Sequence, residues 1–302
     1  MDARTILRLS RAHFLIPGIL LYILGALTAM AGGIDIDPLR LLLGYTIFGT
    51  AHLAVSFSND YFDRETDMMG TRTPVSGGSG VLQEHPELER MVLVMAVLLT
   101  LASICLVVLF MLIFQPPWWF LLFVIAGNAL VWSYSAPPVR LASRGWGEAA
   151  TALAAGLLMP GMGYLVVSGT IDAWFLTLSL PLLCYGLFFI ISVELPDVES
   201  DKLSGKDNML VRMGRDFGLI VGATATAMGT VLLIIIAIMG ILDGLPVWGF
   251  VILSFIPLAA GMMGVLMKGM NQKMAVRQVK VNFGALVLFV LCSNLLILGQ
   301  MV

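Results

Sequence analysis

Apolar stretches of roughly 18–25 residues, the length that crosses a hydrocarbon core of about 30 Å, recur along the chain, and charged residues are confined to short islands between them. The pattern predicts nine transmembrane helices, at about 12–32, 39–58, 91–114, 118–136, 147–168, 173–194, 217–241, 246–267 and 280–300. With that count the connectors alternate in character. Every basic residue except Arg40 falls in one set: Arg4, Arg8 and Arg11 before the first helix, then the islands around Arg64–Arg90, Arg140–Arg144, Lys202–Arg215 and Lys268–Lys280. The positive-inside rule makes that set cytoplasmic, which places the N-terminus inside and the C-terminus outside. A single miscounted helix scrambles the alternation, so count and topology support each other.

Composition agrees. Of 302 residues, 59% are hydrophobic and 12% charged, about half the charge of a soluble domain. The net charge of −2 says little, because the distribution of charge carries the information; no nucleic-acid or protein partner is expected. Cys105, Cys184 and Cys292 sit singly inside apolar spans, without disulfide or metal spacing. The basic start resembles a signal peptide, but the apolar run after it has no clear cleavage site and reads as a retained first helix. The chain is thus an all-α polytopic membrane protein of the cell membrane. It reads as a single domain over 1–302, with cytoplasmic cap loops at about 59–90 and 195–216.

Those two loops are long where the opposite connectors are short, and each begins with an acidic cluster. Asn59, Asp63 and Asp67 are spaced i, i+4, i+8, and Asp60 lies on the same broad stripe. Asp197 and Asp201 repeat the i, i+4 spacing, Glu194 lies one turn earlier, and Glu199 points away. Like charges at this spacing destabilise a helix, and more so beside a low-dielectric wall. Two such clusters on one face point to shared divalent cations and a polyanionic ligand. Oxygen-only donors favour a hard ion such as Mg²⁺, which commonly uses one or two carboxylates plus substrate phosphates. No His or Cys beside the clusters argues for zinc.

A diphosphate also needs cations from the protein. Arg72, Arg140, Lys202 and Lys206 all lie on the cytoplasmic side, and each also reads as a simple topology determinant. Tyr134-Ser135-Ala136-Pro137-Pro138-Val139-Arg140 ends the fourth helix, because the prolines cannot continue it. Tyr134 and Arg140 could then converge on a leaving phosphate. The stretch Val75–Gly80 reads equally as a mobile lid or as an ordinary flexible loop, and Asn128 should face the bundle interior.

These motifs resemble those of the UbiA superfamily of intramembrane prenyltransferases. The N/D-D-x-x-D-x-x-x-D motif is met by Asn59, Asp60, Asp63 and Asp67, the D-x-x-x-D motif by Asp197 and Asp201, and the Tyr-Ser-x-Pro-Pro-x-Arg element by Tyr134 to Arg140. The resemblance implies a helical bundle around a central cavity open to lipid and capped on the cytoplasmic side. It implies Mg²⁺ held by Asn59, Asp63 and Asp67 and by Asp197 and Asp201, with Asp60 and Lys202 in support. It implies an isoprenyl diphosphate contacted by Arg72, Lys206, Tyr134 and Arg140, with Asp63, Asp67, Asp197, Asp201 and Tyr134 as the catalytic set.

Arg144-Gly145-Trp146-Gly147-Glu148 is similar to the R-G-x-G-E element of the naphthoate branch in menaquinone synthesis. That likeness implies Arg144, Glu148 and Glu194 near the acceptor, and an aromatic acceptor such as 1,4-dihydroxy-2-naphthoate. Glu194-Leu195-Pro196-Asp197 stands where that branch has N-x-x-R-D, which changes the charge offered to an acidic acceptor. Two alternatives remain: geranylgeranyl transfer to a glycerol phosphate ether lipid, and a secondary transporter. Transporters place ionisable residues near the bilayer midplane, whereas these cluster at one face.

Overall fold

The computed structural model describes residues 3–69 and 78–301. Among the described residues there are helices and no strands. Nine long helices run as α1 Ala12–Ala31, α2 Pro38–Phe62, α3 Glu89–Phe114, α4 Trp119–Ser135, α5 Gly147–Ser168, α6 Ala173–Glu194, α7 Arg215–Met239, α8 Val247–Leu266 and α9 Gln272–Met301. Eight of them are long and apolar enough to cross a membrane. The ninth, α4, has 17 residues and is mostly apolar; at 1.5 Å per residue it spans about 26 Å, the short end of what suffices.

Local chemistry sets several boundaries. Asp37 caps α2 by accepting from the Leu39 and Arg40 amides, with Pro38 at the first helical position, where its missing N–H costs nothing. Asp172 does the same for α6, accepting from Phe175 N at 2.9 Å while Tyr164 Oη donates to its other oxygen. Two boundaries differ from the hydropathy reading. Helix α2 continues through Asn59 and Asp60 to Phe62, and α9 begins at Gln272 rather than near 280. Hydropathy marks where lipid starts, whereas a helix persists into water as long as one face packs. In α9 that face is Ala275, Gln278 and Val279, all buried.

The helices close a ring. Helix α2 packs on α3 and α4, α1 on α5, α5 on α6, then α6 on α7, α7 on α8 and α8 on α9, and α9 returns to α1. Asn294 Nδ2 on α9 donates to the Leu20 carbonyl of α1 at 3.0 Å across that last seam. Helices α1 and α5 touch backbone to backbone, the close approach that small residues permit in membranes. A Cβ on Gly25 would lie 1.7 Å from the Pro160 carbonyl oxygen, and one on Gly163 would lie 1.9 Å from that of Tyr22. Within α5, residues Ala154–Leu158 are wound as a π-helix. Large apolar side chains such as Leu112, Ile238, Ile252 and Leu266 point outward, as a lipid solvent requires. Buried polar side chains pair inside, with Gln278 Nε2 to Asn282 Oδ1 at 2.8 Å and Asn282 Nδ2 to Ser192 Oγ at 2.9 Å.

Candidate active site

A cavity of about 410 Å³ lies inside the ring, lined by residues of α1 to α6 and α9. Its wall on α2 runs from Ile47 to Asn59, a depth of about 18 Å at the helical rise. Most of the cavity lining is apolar. The charged groups sit at one end, where Asn59, Asp63 and Asp67 on one side and Asp197, Asp201 and Lys206 on the other all line the same mouth.

The first cluster is not the single helical stripe that its spacing suggests. Helix α2 stops at Phe62, Asp63 takes a non-helical conformation (φ −96°, ψ 3°), and Asp67 belongs to a separate turn, Arg64–Asp67. Ser135, the last residue of α4, ties this corner together: its Oγ lies 2.7 Å from Asp63 Oδ2 and 3.0 Å from Asn59 Oδ1. A hydroxyl has one proton to donate. The shorter contact to the carboxylate takes it, and the Asn59 contact is met when the amide turns its nitrogen toward Ser135. Asp60 leaves the stripe. Buried, it pairs with the Arg11 guanidinium and accepts from Ser79 N at 3.0 Å.

The second cluster is held by its own loop. Asp197 opens the short helix Val198–Leu203. Asp201 accepts from Lys206 Nζ at 3.2 Å and from Asn208 Nδ2 at 2.8 Å. Glu199 faces outward to Arg215 at 2.5 Å. Glu148 on α5 is buried and accepts from the Met209 amide at 2.5 Å, which fixes the end of this loop against the bundle.

Charge and burial oppose each other here. Burial pushes the Asp63 carboxyl above the usual range, against the pull of Lys206, the Ser135 hydrogen bond, Arg11 and Arg140. Burial also raises Asp67, to about 6, with Arg11 and Lys206 opposing it and Asp63 adding to it. For Lys206 burial alone would lower the pKa, but Asp201, Asp63 and Asp67 together raise it. Carboxylates this reluctant to ionise become favourable once cations neutralise them. The donors are all oxygen, which suits a hard divalent ion. Among the described residues no three His, Cys, Asp or Glu side chains close around one point.

The other expected residues divide. Tyr134 and Glu194 line the cavity. Arg140 has a left-handed backbone (φ 51°) and a buried Nε without a partner, and its charge acts on Asp63 from just outside the lining. Lys202 and Arg144 are exposed and do not line the cavity. Arg72 and residues 75–77 lie outside the described residues; Gly78 reaches the mouth beside Asp67. Arg11, Ser135 and Asn208 carry site contacts that the motifs did not single out. Arg11 read only as a topology charge, and its pairing with a residue 49 positions away has no local signal.

A model of the UbiA prenyltransferase family matches residues 19–290. The chain belongs to the UbiA prenyltransferase family. It is a multi-pass membrane prenyltransferase. Solved structures share the fold. A UbiA homologue from Archaeoglobus fulgidus bound to GPP and Mg²⁺ is 18% identical, with a TM-score of 0.67 over 96% of this chain and 99% of that one. One from Aeropyrum pernix K1 is 12% identical, with a TM-score of 0.70 over 94% and 98%. A digeranylgeranylglyceryl phosphate synthase is 18% identical, with a TM-score of 0.58 over 98% of each chain. No curated protein matches by sequence.

Proposed function

We propose that this prenyltransferase moves an isoprenyl chain from an allylic polyprenyl diphosphate to an aromatic quinone precursor, at the cytoplasmic face and with Mg²⁺. The observation that carries the reading is the meeting of two acidic clusters, with Lys206 between them, over a long apolar cavity. Asn59, Asp63 and Asp67 would hold one ion and Asp197 and Asp201 another. The oxygen donors at the mouth fit an ion that shares its coordination with phosphate. Such an ion, when bound, neutralises charge building on the leaving diphosphate.

The chain's own residues do the rest. Lys206 and Arg140, with Arg72 from the adjoining loop, bind diphosphate oxygens, and Tyr134 Oη orients them at the cavity rim. The apolar wall below takes the isoprenyl tail and keeps water from the allylic carbon as its C–O bond breaks. Ser135 holds Asp63 and Asn59 in register for that event. The cytoplasmic assignment follows from the basic residues on this side of the chain.

A second acceptor has a specific observation behind it. The likeness to a digeranylgeranylglyceryl phosphate synthase and the absence of the N-x-x-R-D pattern favour a glycerol phosphate ether as much as a dihydroxynaphthoate. Purified protein supplied with labelled geranyl and geranylgeranyl diphosphates, each acceptor, and Mg²⁺ or EDTA, with products read by mass spectrometry, decides between them. Prenylated naphthoate formed only with Mg²⁺ is the expected result. Absence of prenyl product from every combination overturns the reading.

A further inference from the structure

Among the described residues four glycines line the cavity, Gly18, Gly78, Gly127 and Gly186. A close neighbour accounts for three of them. A Cβ on Gly18 would lie 2.3 Å from the His52 ring, one on Gly78 2.2 Å from the Asp67 carboxylate, and one on Gly186 2.9 Å from the Ala152 carbonyl oxygen. Gly127 differs, because a Cβ there meets nothing within 4 Å. It sits inside α4, where glycine is a poor helix former, and neither packing nor a positive φ calls for it. Its effect is a bare patch on the cavity wall, with the lining residues Phe123 and Val131 one turn away on either side.

The depth of the cavity is the second observation. Helices α2, α4 and α6 all end at the mouth, and on each the deepest lining residue lies twelve positions earlier: Ile47 before Asn59, Phe123 before Ser135, and Leu182 before Glu194. At the helical rise each gives about 18 Å. The deep end is shut. Ile47, Val124 and Met162 line the cavity and belong to one packed apolar cluster with Phe110, Phe120 and Leu165, which do not line it. Leu182, Tyr185 and Phe289 join Leu178, Leu233 and Phe250 in the same way on the other side. On the flank between α1 and α9, Phe14 stands edge-on to Phe189 and Phe283, with 6.1 Å between ring centroids in both pairs. Each isoprene unit adds four carbon–carbon bonds of about 1.5 Å, an advance of about 4–5 Å in an extended chain. A blind depth of about 18 Å therefore takes four units.

We infer that the cavity is a ruler for the tail of the donor: it takes chains of up to four isoprene units, a geranylgeranyl diphosphate, and the bare wall at Gly127 lets the third and fourth units pass. Gly127 lies eight positions before Ser135, about 12 Å below the mouth, past the second unit of a tail and beside the third. The inference rests on the reading above that this apolar cavity receives the isoprenyl tail.

The test uses full-length protein in lipid nanodiscs with Mg²⁺ and labelled geranyl, farnesyl, geranylgeranyl and octaprenyl diphosphates, each offered with 1,4-dihydroxy-2-naphthoate and with the glycerol phosphate ether. Wild-type kcat/KM should rise as far as geranylgeranyl and fall about tenfold or more for octaprenyl, the scale on which an apolar pocket rejects excess methylenes. Gly127→Phe should lower kcat/KM for geranylgeranyl by about tenfold or more while keeping that for geranyl, whose tail ends above the new ring. Retained geranyl transfer also reports an intact fold. Gly127→Leu should act in the same direction to a smaller degree, and it decides the matter if the Phe variant loses geranyl transfer too. Competition of each unlabelled diphosphate against labelled geranylgeranyl diphosphate should follow the same order without any acceptor. Equal turnover of geranylgeranyl and octaprenyl diphosphates by wild-type protein overturns the ruler. An unchanged tail preference in Gly127→Leu overturns the part given to Gly127, and both results leave prenyl transfer standing. No product from wild-type protein in any pairing sinks the transfer reading, and the binding series then judges the ruler alone.

Discussion

The two acidic clusters share a spacing in sequence but are held in opposite ways. Asp201 is positioned by neighbours five and seven residues further along, Lys206 and Asn208, so the second cluster is a local structure built by one loop. Asp63 is positioned by Ser135, 72 residues away, and Asp60 by Arg11, 49 residues away. The first cluster therefore exists only when α1, α2 and α4 have already packed. Identical motif spacing hides the fact that one half of the site is local and the other is tertiary. Damage to the packing of α4 on α2 should reach the first half before the second, whose loop is held to α5 through Glu148 and Met209.

The largest effect expected is loss of chemistry from either half. Asp63→Ala and Asp201→Ala should each lower prenyl transfer by about 10³-fold, as removal of a charge-stabilising group from an active site does. Product assays with EDTA controls measure this, and thermal unfolding should show both variants folded. Next comes Arg11→Ala, which leaves Asp60 buried and unpaired and should destabilise the protein by about 3 kcal/mol, the scale of a broken buried ion pair. Adding Asp60→Asn should restore much of it, whereas Lys206→Ala should cost far less stability and act on diphosphate binding. Equal destabilisation by Arg11→Ala and Lys206→Ala would break the contrast between a tertiary and a local cluster. Smaller again, Ser135→Ala should reduce turnover about tenfold through the lost hydrogen bond to Asp63, with no change in the binding loop around Asp201.

The smallest effect is a pH dependence. Asp67, raised to about 6 by burial, binds its proton more tightly folded than unfolded. Its contribution to stability in cation-free protein is therefore present at low pH and lost as pH rises through 6. Cation binding has the opposite sign, since it needs the ionised form and should strengthen over the same interval. Asp67→Asn should flatten both curves, seen as unfolding midpoints with and without Mg²⁺ from pH 5 to 7.

The sequence made some of this legible and concealed the rest for definite reasons. Helix count follows from apolar length, since lipid imposes one dimension on every span. The acidic residues stood out because charge is rare in such a chain. The break at Asp63 was hidden, because spacing alone continues α2 through Asp67, while the chain in fact ends one helix and starts another turn there. Arg11 was hidden because a basic residue at a membrane edge already has a sufficient topological reason. Ser135 lay within a quoted element, yet nothing local says that its hydroxyl faces α2. Lys202 and Lys206 look alike in sequence, and only the turn at 204–205 makes one exposed and the other part of the mouth.

The π-wound stretch in α5 adds a residue to one turn, which offsets the faces on either side of it by roughly 100° relative to an unbroken rod. Ala150 and Thr151 line the cavity before the offset, and beyond it Met162 still lines the cavity while the neighbouring Gly163 meets α1. A single helix thereby carries two surfaces with independent duties. A change of side chain at Ala150 or Thr151 therefore reshapes the cavity without touching the backbone clasp at Gly163.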